Sequence, residues 1–243
     1  MVSRLLSLFT FLLLALALYA GDPWKDKPYT DWTMEDIQKI LSDSPWVKTD
    51  WVDAPWIRGE PHYIFTMPPS CPGRPEFGGP RTQPPGLNLT PMTQSTVGYQ
   101  VTWNSARTVR AARVRLAVLC QQADPDEGED ALEREPEEYI LSIQSPDMRP
   151  FEGLDEEALE ANAYLLLKKS KAKLSPGKVR IGHGADRRSV YMLVFSFPKT
   201  TESGAPTIPP DEKEMEFICQ AGKTTIKVRF QPPKMIARQG LDL

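Results

Sequence analysis

The chain has 243 residues, 40% of them hydrophobic and 25% charged, with a formal net charge of -3. Those fractions belong to a globular protein with a sizeable core, while 24 prolines announce long irregular segments. A weakly acidic balance excludes the concentrated basic surface of a typical nucleic-acid binder, so nucleic acid is not expected as a partner.

Residues 1–20 read as a signal peptide. Arg4 is followed by an almost unbroken apolar run from Leu5 to Ala20, shorter than the roughly 20 residues that cross a bilayer comfortably. Small residues allow cleavage after Ala20 or after Ala17, and no Cys follows to carry a lipid anchor. The mature chain is expected to be exported, to the periplasm or beyond the cell. Contact with a membrane is expected only if the leader stays uncleaved.

Residues 21–60 form a Trp-rich arm holding Trp24, Trp32, Trp46, Trp51 and Trp56. One short helix is marked inside it, from Thr33 to Leu41. Thr33 and Asp36 have capping-box spacing, and Trp32 with Ile37 matches a hydrophobic staple. Ile37, Ile40 and Leu41 share a face, and Ser44-Pro45 stops the helix. About two turns of helix are unstable alone in water and have to dock on something. From Val47 to Ile57 the tryptophans recur every five residues, which fits neither helix nor strand, so this part reads as an irregular strap.

His62 to Met67 reads as a short strand within a Pro/Gly-rich linker, residues 61–96. The linker also carries an Asn88-Leu89-Thr90 glycosylation sequon. Residues 97–243 read as an α+β domain. Val97 to Trp103 alternates as a strand, and Asn104 or Ser105 can cap a helix from Ala106. Beyond Ala112, the stretch Arg113 to Leu119 suits either helix or strand. Ala123 to Glu138, with nine acids against one Arg, reads as a solvated loop. Tyr139 to Gln144 is a strand. Asp155 caps a helix from Glu156 to about Lys169, with Leu159, Ala163, Leu166 and Leu167 on its buried face. Lys178 to Gly182 and Ser189 to Phe197 are strands. Glu214 to Gln220 and Lys223 to Gln231 form a hairpin across Ala221-Gly222. The order predicts a mainly antiparallel sheet with two helices on one face and an irregular Trp-rich N-terminal arm.

Three cysteines, Cys71, Cys120 and Cys219, leave at least one thiol over in any pairing. The simplest reading is two buried thiols and one in a loop, with a Cys120–Cys219 bridge as the alternative. Only two histidines occur, His62 and His183, and no nucleophile elbow, phosphate loop or metal spacing accompanies them. The sequence therefore offers no catalytic set, no metal site and no cofactor site. Arg107, Arg110, Arg113 and Arg115 read as a solvated helix face balancing the acidic loop. Trp46, Trp51, Trp56 and Asp53 are the candidate binding residues. Aromatic rings beside carboxylates suit a sugar, although large rings in a segment without a ladder more often anchor it.

The segment Trp32-Thr33…Asp43-Ser44-Pro45-Trp46, followed by Trp103-Asn104-Ser105-Ala106 and the Gly240-Leu241-Asp242-Leu243 tail, resembles a group of exported bacterial proteins of unknown function. The resemblance implies export and brings no activity. The reading is an exported, non-enzymatic binding or envelope-associated domain whose partner is a protein or glycan of the envelope. The alternative is a carbohydrate-binding or carbohydrate-active protein using the arm.

Overall fold

The computed structural model describes residues 21–54, 71, 96–184, 186 and 188–243. The leader, the His62–Met67 strand, Trp56 and the Asn88 sequon lie outside the described residues. The chain is an α+β protein, and every strand pairing among the described residues is antiparallel.

After a one-turn helix α1 (Pro23–Asp26), helix α2 (Met34–Ser42) begins as the sequence predicts. The Asp36 amide donates to Thr33 Oγ1 at 3.3 Å, and the Thr33 amide donates to Asp36 Oδ2 at 3.0 Å. Trp32, Ile37 and Ile40 are buried. The turn after the helix is fastened by Ser44 Oγ, which donates to the Ile40 carbonyl at 2.6 Å.

The strap is where the structure departs from the sequence reading. Val47–Asp53 is not irregular but a strand, β1, paired along its length with β2 (Thr96–Trp103). Its ladder partner lies beyond the Pro/Gly-rich stretch, where no local pattern can reveal it. In a strand, side chains five apart point to opposite faces, so the five-residue tryptophan spacing separates the rings instead of aligning them.

Helix α3 (Arg107–Leu119) follows β2, which settles Arg113–Leu119 as helix. The supposed acidic loop contains helix α4 (Pro125–Glu133), started by Asp124 and Pro125 and anchored by buried Leu132. Strand β3 (Glu138–Gln144) leads to helix α5 (Glu156–Ala161), capped by Asp155 through the Ala158 amide at 2.8 Å. This helix does not reach Lys169. Ala163–Leu167 is strand β4, because Ala163, Leu165 and Leu167 also alternate and a ladder with β8 (Met215–Ala221) is available. Leu166, expected on the buried face, points outward with the residues between.

The remaining strands are β5 (Lys173–Leu174), β6 (Lys178–His183), β7 (Val190–Pro198), β9 (Thr224–Phe230), β10 (Ile236–Ala237) and β11 (Gly240–Leu241). A five-stranded sheet has the order β1-β2-β3-β7-β6 and a four-stranded sheet the order β5-β4-β8-β9. The β8–β9 hairpin turns at Gly222-Lys223, one residue later than expected, with Gly222 at φ +59, a conformation glycine adopts without strain.

The two sheets face each other across a core of rings. Phe195 meets Phe217 at 5.3 Å and Trp103 meets Phe230 at 5.2 Å, near-perpendicular contacts that aromatic pairs prefer. At one edge the Lys227 amide donates to Asp50 Oδ2 at 2.7 Å, stitching β1 to β9. On the outer face of the first sheet, Gln100 Nε2 donates to the Leu41 carbonyl at 3.2 Å, which seats the end of α2 there.

The disulfide is Cys71–Cys120, correcting both the expectation of three free thiols and the Cys120–Cys219 alternative. It fastens the chain between β1 and β2 to the C-terminal end of α3. Cys219 is a buried free thiol of the inter-sheet core.

Candidate functional site

The four candidate residues do not form one site. Trp46 is fully buried, meets Trp24 edge to face at 5.5 Å and donates Nε1 to the Asp242 carbonyl at 2.6 Å. It is an anchor. Trp51 is 51% exposed on the outer face of β1, and Asp53 lies exposed on the same face two residues on. Trp56 lies outside the described residues. Asp50, on the opposite face, is committed to β9.

Trp51 is held by its neighbour across the ladder, Gly98. Two carbons of the indole lie 3.1 Å from where a Cβ on Gly98 would stand, so any side chain there would have to displace the ring by a few tenths of an ångström, and glycine leaves it room. Thr49 and Gln100 share that face one register position away. The result is a half-exposed indole with hydrogen-bonding side chains beside it.

A second feature went unread in the sequence. The arm folds against the start of α3 and the β10–β11 ribbon, leaving a cleft of about 120 Å³. Trp24, Tyr29 and Trp32 supply its aromatic walls, and Lys27, Arg107 and Arg238 its charges. Trp32 is fixed by Nε1 donating to the Pro23 carbonyl at 3.1 Å. Lys27 reaches Asp36 at 2.9 Å. Burial, helped by Glu129 and opposed by Arg107 and Arg115, pushes the Tyr29 phenol up, so it stays a neutral donor. The only signal in the sequence was the run of arginines read as a solvated face. In fact Arg107 Nη1 donates to the Leu132 carbonyl at 2.7 Å and Arg115 Nε to the Trp32 carbonyl at 3.1 Å, while Arg110 reaches the Ala131 and Arg134 carbonyls. These three arginines cross-link α3 to α4 and to the arm, while Arg113 is exposed and donates to Asn104 Oδ1.

The N-terminus of α3 is closed from a distance. Its N-cap is Ala106, which has no capping group, not Asn104 or Ser105. The Asp242 carboxylate accepts instead, from the Arg107 amide at 2.6 Å and the Thr108 amide at 2.8 Å.

His183 stands at a bulge at the end of β6, beside an open depression with Asp155, Glu156 and Glu157. Among the described residues no group of three His, Cys, Asp or Glu side chains is placed to hold a metal ion, and no helix is long and apolar enough to cross a membrane. The chain matches no protein-family model, no curated protein and no solved structure.

Proposed function

We propose that the chain is an exported, non-catalytic binding domain that contacts a component of the cell envelope through the Trp51 face. The observation that carries the reading is Trp51 itself, a large ring 51% exposed and seated on Gly98, ready to give apolar area to a partner at little entropic cost. Export is supported by the apolar leader and by the Cys71–Cys120 bridge, since disulfides persist in oxidising compartments. The resemblance of the Trp32–Trp46 segment to exported bacterial proteins points the same way. A saccharide is the second reading of the ligand, favoured by Asp53, Thr49 and Gln100 beside the indole.

The test is co-sedimentation of the mature protein with isolated envelope fractions and with insoluble polysaccharides, comparing the native chain with Trp51→Ala. Retention of native protein, lost in a variant that stays folded with a melting temperature only about 2–4 °C lower, is the expected result. Equal retention of both proteins removes the Trp51 face from the reading. Turnover of glycan, peptide or ester substrates by the pure protein ends the non-catalytic reading, and a retained leader in N-terminal sequencing of the product ends export by cleavage.

A further inference from the structure

The cleft between the arm and the start of α3 combines aromatic walls with cations, and no carboxylate side chain lines it. Lys27 is engaged by Asp36. Neither Arg107 nor Arg238 has an ion pair among the described residues. Arg107 spends one guanidinium nitrogen on Leu132, and a guanidinium has further N–H donors in a fixed fork. The amides at the start of α3 are already taken by Asp242, so the two guanidinium groups, not the helix end, offer the positive charge.

Size narrows the ligand. A cavity of roughly 150 Å³ admits a benzene molecule, and this cleft measures about 120 Å³ and opens to solvent. The cleft is somewhat smaller than that cavity, so a single six-membered ring is the upper limit, partly enclosed by the walls and with its substituent at the open mouth. The walls are pre-formed: Tyr29 and Trp32 meet edge to face at 6.4 Å, and Trp32 is fixed through Pro23. A carboxylate matches the arginine fork in geometry and charge.

We infer that this cleft binds a small carboxylic acid carried on a six-membered ring, its carboxylate on Arg107 and Arg238 and its ring among Trp24, Tyr29 and Trp32. The same chemistry is presented by a free aromatic acid and by a hexuronic acid. The site shares no residue with the Trp51 face, so either can fail alone.

The experiment is calorimetric and fluorescence titration of the mature protein with benzoate, with glucuronate and with uncharged benzamide. One of the two acids saturates with a Kd of about 1 mM or below, changes the tryptophan emission, and outcompetes benzamide by about tenfold, the size of one charge-assisted contact. Tighter benzoate assigns the aromatic acid, tighter glucuronate the sugar acid. Arg238→Ala weakens the acid about tenfold at unchanged melting temperature, because that exposed side chain makes no other bond among the described residues. Tyr29→Ala weakens both benzoate and benzamide. Failure of both acids to saturate by about 10 mM, equal affinity for benzamide, or indifference to Arg238→Ala overturns the inference.

Discussion

Replacing Asp242 with Ala strips α3 of its cap from 135 residues away along the chain. Ala106 offers no substitute, so the amides of Arg107 and Thr108 lose acceptors at 2.6 and 2.8 Å. Loss of a capping side chain costs about 1 kcal/mol, and loss of a carboxylate at a partly buried helix N-terminus adds about 1 kcal/mol. The sum, about 2 kcal/mol, corresponds to a fall in melting temperature of roughly 4–8 °C for a protein of this size. Asp242→Asn keeps one acceptor without the charge and loses about half as much. Deleting residues 240–243 is worse, because the Asp242 carbonyl that accepts from Trp46 Nε1 goes too. Trp46 is fully buried, and an orphaned buried donor costs about 1–3 kcal/mol. Urea unfolding at neutral pH measures all three variants, and hydrogen exchange should place the loosening of Asp242→Ala in the first turn of α3. A loss under about 0.5 kcal/mol with unchanged urea dependence would show that the helix end is satisfied some other way and refute the latch.

Three further expectations concern the cysteines, a buried carboxylate and the anchor ring. The Cys71–Cys120 bridge closes a separation of 49 residues, for which loop entropy gives about 4 kcal/mol; reduction should lower the urea midpoint accordingly. Cys219 should stay unlabelled by a thiol reagent until the protein unfolds, since burial pushes its thiol up to about 12. Burial disfavours the ionised form of Glu216, but bonds from Lys168 at 2.7 Å, Arg229 at 3.2 Å and Lys227 at 3.3 Å outweigh it and hold the carboxyl below the usual glutamate range. A depressed carboxyl stabilises fully above its unfolded value, about pH 4.5, and less as acid protonates the folded form. Glu216→Gln should therefore cost about 1–2 kcal/mol at pH 7, discounted because the cations are partly hydrated, with the gap to native protein shrinking below pH 4 in denaturation curves. Trp46→Ala should cost about 3–5 kcal/mol in urea unfolding, whereas Trp51→Ala, half-exposed on its strand, should cost about 1 kcal/mol.

The sequence was most informative where the determinants are close together along the chain. The Thr33–Asp36 capping box, the Asp155 cap and the alternation of Val97, Tyr99, Val101 and Trp103 all appear in the structure as read, and Trp32 and Ile37 are both buried. The errors share one origin. The run Leu159 to Leu167 satisfies helical and strand periods alike, and the presence of β8 as a partner ends the helix at Ala161. The segment Val47–Asp53 looked irregular because its ladder is made by β2. Of the candidate site, Trp51 and Asp53 were legible as an aromatic beside an acid, but nothing local told Trp51 from Trp46.

The sequence by itself determined the α+β class, the short stapled helix and the abundance of tryptophan in the arm, because capping and alternation act over a few residues. The tertiary structure decided which ring is an anchor and which is free. Trp46 is buried because Asp242 offers it a carbonyl, and Trp51 is exposed because Gly98 leaves room for its ring on an outer face. Both neighbours are brought in by long-range pairing, whose energy comes from burial and hydrogen bonds between segments that no local pattern joins.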